Sequence, residues 1–186
     1  MLTSPFSLLS TKAEKNLTFF LAIATTSILF SMLNIDYYLI NDVCKNGILS
    51  FELAKDMQVS EAILNSWNTQ AKINAGISLG LDFLFLMIYP PLIALLIHKL
   101  NKILWTGKPV YQVGLILLFS QFFTAIFDAI ENTCLIQLLL GSTNKLWALA
   151  AYYFAFMKFT LISIALIYLA INFILLIIKN TTNTNE

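Results

Sequence analysis

The stretch LWALAAYYFAFMKFTLISIALIYLAINFILLII, residues 146–178, carries one charged side chain, Lys158, in 33 positions. A helix crosses the hydrocarbon of a bilayer with about 20 apolar residues, so this run reads as a membrane span with length to spare. Three further segments reach that length: Leu17–Ile35, Ile73–Ile97 and Val110–Leu140. With their interfacial ends the four helices are expected at about 17–38, 73–99, 110–140 and 146–178. The last two are long enough to tilt or to project beyond the bilayer.

Composition agrees with that reading. Of 186 residues 59% are hydrophobic and 11% charged, and the mean hydropathy is +0.79, whereas a soluble domain carries about a quarter charged residues. The expected fold class is all-α: an integral membrane four-helix bundle forming a single transmembrane domain over residues 1–186. A short amphipathic helical loop, 41–72, joins the first and second spans, and a polar tail, 180–186, is expected to be disordered.

Charge narrows the function classes. The net charge is +1 and all 11 basic residues are lysines. Without a basic tract or an arginine fork, a nucleic-acid partner is excluded. Cys44 and Cys134 fall in the loop and in a span, with no CxxC or Cys/His cluster, so neither a disulfide nor a zinc site is expected. No metal and no cofactor is expected from the remaining pattern, since no P-loop, GxSxG or HExxH motif occurs.

The first span follows Lys12 and Lys15 and so imitates a secretory signal. Its apolar run is too long for a signal core and no small-residue cleavage site follows, so it reads as a retained anchor. Lys12, Lys15, Lys99, Lys102, Lys108 and Lys179 flank one side of the spans; Lys45, Lys55, Lys72 and Lys145 flank the other, among Asp42, Glu52, Asp56 and Glu61. The excess of lysine puts both termini on the cytoplasmic side.

Within the loop, SFELAKDMQVSEAILNSWNTQAK (50–72) offers Ser50 and Ser60 as helix starts, and the pairs Leu53/Met57 and Ile63/Trp67 at spacing i, i+4. Two short amphipathic helices fit. They either lie on the headgroups with Trp67 as an aromatic anchor or form a lid over the outer mouth of the bundle.

The informative polar residues lie inside the spans. Asp128, Glu131 and Asn132, spaced i, i+3, i+4, project from one face of the third helix. Asp82 and Tyr89 share a face of the second, just before Pro90 and Pro91, which free the carbonyls of Leu86 and Met87 and should bend the helix. At about 1.5 Å per residue from the outer ends, Asp82 and Glu131 lie roughly 13–14 Å deep and Asp128 and Lys158 near 18 Å. Four ionisable groups on three helices thus share one layer. Burying a charge there costs about 2.5–3.5 kcal/mol, so such groups face the bundle interior and pair with each other. Three carboxyls against one ammonium leave an excess of negative charge. Lys158 is therefore expected to pair with Asp128 or Asp82, and Glu131 is the group expected to hold a proton.

Other candidates have simpler readings. His98, beside Lys99, suits a helix C-terminus at an aqueous interface. Asp36 with Tyr37 and Tyr38 closes the first span in an aromatic belt, as Trp105 and Trp147 do elsewhere. Met87 and Met157 read as packing residues.

Four segments carry a resemblance: FELAKDMQVSEAILNSW (51–67), SLGLDFLFLMIYPPLIALL (78–96), FDAIENTCLIQLLLG (127–141) and MKFTLISIALIYL (157–169). In this order they resemble a group of small four-span bacterial membrane proteins marked by an FELA segment ending in tryptophan, an LGLDYLF-like helix, a DxxEN helix and a KF-containing last helix. The resemblance covers about residues 50–170. It implies a shared four-helix architecture in a bacterial inner (plasma) membrane and marks Asp82, Asp128, Glu131, Asn132 and Lys158 as polar positions; it implies no activity. This chain departs from it in Phe83, where tyrosine is usual, and in the double proline. The layout is also similar to that of emopamil-binding, EXPERA-type proteins, some of which isomerise sterols while others bind cationic amphiphiles. No core histidine equivalent to theirs is present here.

Three functions are compatible with these residues. In a non-catalytic membrane protein, self-assembled as a homo-oligomer or alone, Asp82, Tyr89, Asp128, Glu131, Asn132 and Lys158 satisfy one another as a clasp. In a protein that binds or transports protons or a lipid-like or cationic small molecule, they border a pocket of several hundred cubic ångströms. An intramembrane enzyme acting on a lipid- or sterol-like substrate further needs a proton donor and an acceptor on opposite walls.

Overall fold

The computed structural model describes residues 3–183. After a 3-10 turn at Pro5–Leu8, seven α-helices follow: α1 Thr11–Asp36, α2 Ile48–Glu52, α3 Met57–Ser66, α4 Thr69–Phe85, α5 Tyr89–Leu104, α6 Val110–Leu139 and α7 Lys145–Asn183. Four stretches are long and apolar enough to cross a membrane: Thr11–Leu39, Thr69–Leu104, Val110–Leu139 and Lys145–Thr181. The chain is an all-α bundle of four membrane-spanning units. α7 continues to Asn183, through positions where the sequence suggested a disordered tail; residues 184–186 of that tail lie outside the described residues.

The second span is two helices. Residues 86–88 form a turn, and Pro90 and Pro91 sit in the first turn of α5, where the missing N–H groups have no intrahelical partner to lose. α6 and α7 form the main packing seam. On α7 the buried positions Ala148, Ala151, Ala155, Lys158, Ala165 and Asn172 follow the alternating 3- and 4-residue steps of a coiled-coil seam. Its small residues let the helices approach closely. α5 packs on both, while α1 leans on α4 and α5. The outward faces of α1 and α7 expose Phe20, Phe30, Leu33, Ile167 and Phe173, an apolar surface suited to lipid.

The connection between the first two spans departs from the reading in which Trp67 is an interfacial anchor. Trp67 is buried; its ring packs against Phe51 with centroids 5.4 Å apart, and its Nε1 donates to the Leu39 carbonyl at 2.9 Å. Phe51, Ile63 and Trp67 join Ala71, Ala75 and Leu79 of α4, Leu135 and Leu138 of α6, and Ala148 and Ala151 of α7 in one apolar core. Trp67 is thus a core residue, because α2 and α3 wedge in against α6 and α7 and offer it apolar neighbours on every side. Ser50 and Ser60 lie inside α2 and α3 and do not start them. The first turn of α2 is instead held by Asp36, whose Oδ1 accepts from Ile48 N at 2.5 Å. Gly47, at φ +55°, permits this: a Cβ there would strike the Asp36 carboxylate. Lys55, at φ 57°, turns the chain between the two helices.

Candidate functional site

The polar layer inferred from the spans exists and is closed. α6 turns Gln121, Thr124, Asp128, Glu131 and Asn132 inward along one face. Asp128 is 1% exposed and Glu131 0%. Lys158 Nζ donates to Asp128 Oδ1 at 2.7 Å and stands 2.7 Å from Glu131 Oε2. The second contact is ionic, without hydrogen-bond alignment, and neither Glu131 oxygen has a hydrogen-bond donor. Phe159 places its ring centroid 4.9 Å from the same ammonium, a cation–π contact. The other oxygen of Asp128 accepts from Tyr89 OH at 2.9 Å, and Asp82 Oδ2 accepts from Asn132 Nδ2 at 2.8 Å.

All six residues expected from the sequence therefore meet inside one bundle. Of the two partners foreseen for Lys158, Asp128 is the one engaged; Asp82 is held by Asn132. Glu131 is in ionic contact with Lys158 as well.

One member was missed. Glu52, from α2, is buried with its Oε2 3.9 Å from Lys158 Nζ. Burial pushes its carboxyl above the ordinary range, against the pull of Lys158. Counting depth along the spans could not reach a loop residue. Phe51 and Glu52 end α2, and the local pattern of a five-residue helix carried no signal that would turn the acid inward.

A second polar group lies at the other end. His98, expected at an aqueous interface, is 3% exposed, with Nε2 3.5 Å from Glu14 Oε1 and the Phe6 ring 5.9 Å away. It is buried because α1 and the N-terminal turn cover the end of α5. Glu14 is itself buried and takes Lys102 Nζ at 3.0 Å. Beyond it, Asn101 bridges the Tyr111 carbonyl at 2.9 Å and Tyr168 OH at 2.6 Å, and Trp105 Nε1 donates to Asn172. Cys44 and Cys134 are free thiols buried in the apolar core that Trp67 joins.

The arrangement can hold protons and bind helices together. Grooves of about 180–550 Å³ indent the bundle; Gln121 lines one of them and Phe159 another, and none of these is lined by Glu52, Asp82, Tyr89, Asp128, Glu131, Asn132 or Lys158. No family model, curated protein or solved structure matches this chain.

Proposed function

We propose that this chain is a non-catalytic multi-pass membrane protein whose buried ionisable cluster is a clasp, fastening the loop helices α2 and α3 to α6 and α7. The observation that carries this reading is the Lys158 ammonium, turned on Asp128 and Glu131 of α6 with Glu52 of α2 beside it. Tyr89 of α5 donates to the other oxygen of Asp128, and Asn132 of α6 donates to Asp82 of α4. Such contacts are modest in energy, about 0.6 kcal/mol on average between membrane helices, yet they fix which helices meet and in what register.

The four segments that carry the resemblance support it too. FELA supplies Glu52, LGLD supplies Asp82, DxxEN supplies Asp128, Glu131 and Asn132, and KF supplies Lys158 and Phe159. Membership of that bacterial four-span group, with both termini cytoplasmic, belongs to the same proposal.

A second reading, a site for a proton or small cation, is favoured by the charge count: Glu52, Asp82, Asp128 and Glu131 surround one ammonium. Glu131 Oε1 and Asn132 Oδ1 have no donor. Native mass spectrometry of the detergent-purified protein, with melting temperatures for wild type, Lys158→Met and Asp128→Asn, separates the two. The clasp gives unchanged copurifying species and a lowered melting temperature. Loss of one copurifying species with the melting temperature retained would sink it in favour of binding.

A further inference from the structure

Between α1 and α5, at the end of the bundle that carries the N-terminus, lies a groove of about 520 Å³ lined by Lys15, Asn16, Thr18, Phe19, Ala22 and Lys99. We propose that this groove binds an anionic membrane phospholipid, with Lys15 and Lys99 on the headgroup phosphate and Phe19 and Ala22 against the acyl chain.

Charge complementarity is the first reason. Over residues 1–16 and 98–109 there are five lysines, Lys12, Lys15, Lys99, Lys102 and Lys108, against one acid, Glu14. At the opposite end Lys45, Lys55, Lys72 and Lys145 are balanced by Asp36, Asp42, Asp56 and Glu61. The one acid near the groove is also withdrawn from it. Glu14 is buried and engaged by Lys102 at 3.0 Å, with His98 at 3.5 Å. Lys99 reaches only the Thr18 hydroxyl, at 3.3 Å, and among the described residues no carboxylate lies within ion-pair distance of Lys15 or Lys99. Two cations thus face the groove uncompensated.

The order of groups along α1 is the second reason. Lys15 and Asn16 stand above Thr18, and Phe19 and Ala22 continue the groove into the apolar part of the span. Charge, then hydroxyl, then hydrocarbon is the sequence a phospholipid presents on entering a bilayer. Basic pockets between spans hold anionic headgroups in this manner. A free phosphate would use only the upper third.

The test is native mass spectrometry of the full chain in detergent, titrated with phosphatidylglycerol or phosphatidylcholine. Each lysine near such a headgroup is worth about a factor of five, so Lys15→Gln/Lys99→Gln should weaken phosphatidylglycerol binding roughly 25-fold. Phosphatidylcholine binding should not change, nor should phosphatidylglycerol binding to a Lys45→Gln/Lys145→Gln control. A Lys15→Arg/Lys99→Arg variant, which keeps both charges, should bind as wild type; failure of that rescue would overturn the site. So would undiminished binding in the glutamine variant or an equal loss in the control. Displacement of the lipid by millimolar inorganic phosphate would also overturn it, leaving an anion site without a lipid.

Discussion

Glu52 Oε2 lies 3.9 Å from Lys158 Nζ, although one residue belongs to the connection between the first two spans and the other sits deep in the last. A short helix outside the four spans thereby reaches their charged layer. The apolar contacts of Phe51, Ile63 and Trp67 carry it inward, and the ion cluster specifies how far. Apolar packing alone tolerates sliding; a carboxyl that must meet an ammonium does not.

Lys158→Met keeps the apolar stem and deletes the only cation of the cluster. Removing one partner of a buried ion pair costs about 3–5 kcal/mol, because the remaining charge is stranded. Unfolding titrations in mixed micelles should record a loss of that size. Glu131→Gln in the same background should recover part of it, since it removes one of the stranded acids. A loss below about 1 kcal/mol, the size of an exposed pair, would mean that the cluster is hydrated and not a clasp.

The carboxyl of Glu52 titrates above its ordinary range because it is buried. Its folded form therefore binds the proton more tightly than the unfolded chain does. That contribution to stability is complete below the unfolded value, about 4.3, and is lost as pH rises through the folded value. Melting temperature should fall as pH increases above that point. Glu52→Gln, which keeps the shape without the ionisation, should melt as wild type at the acidic end and with a flatter pH dependence above it. Parallel curves for the two proteins would show that Glu52 does not titrate in the fold.

At Gly47 two constraints coincide: φ is +55°, and the Asp36 carboxylate occupies the space a side chain would need. Gly47→Ala should cost about 2–3 kcal/mol, combining the left-handed backbone penalty of about 1–2 kcal/mol with loss of the Asp36 bond to Ile48, worth about 1 kcal/mol as a helix cap. In an Asp36→Ala background only the backbone part should remain. Denaturant titrations of the two single variants and the double variant measure this coupling; additive losses would separate the two constraints.

The spans were legible because their signal is one of length and polarity, insensitive to packing detail. The layer of Asp82, Asp128, Glu131 and Lys158 was legible for a related reason: rise per residue converts position into depth, and helix periodicity converts spacing into direction. What escaped was set by tertiary contact. Trp67 has the same local pattern whether it anchors at an interface or fills a core, and only the gap beside α6 and α7 decides. His98 reads as solvated from its neighbour Lys99, yet α1 and Phe6 bury it. The break at residues 86–88 was foreshadowed by Pro90 and Pro91 as a bend, and the turn it makes leaves Tyr89 still aimed at Asp128.

Trp67 offers the sharpest separation between a loop resting on headgroups and one built into the bundle. Its ring fills the core beside Phe51, and its Nε1 satisfies the Leu39 carbonyl at the end of the first span. Trp67→Phe keeps most of the packing and strands that carbonyl, for about 1–3 kcal/mol. Trp67→Ala also opens a cavity, for about 3–5 kcal/mol. Hydrogen exchange should then accelerate across residues 48–66 in the alanine variant, while amides at the centre of α6 keep their protection. An interfacial anchor behaves otherwise: its removal would shift stability by under about 1 kcal/mol and leave exchange in α2 and α3 as fast as it already was, because helices lying on the membrane surface have no packed core to lose.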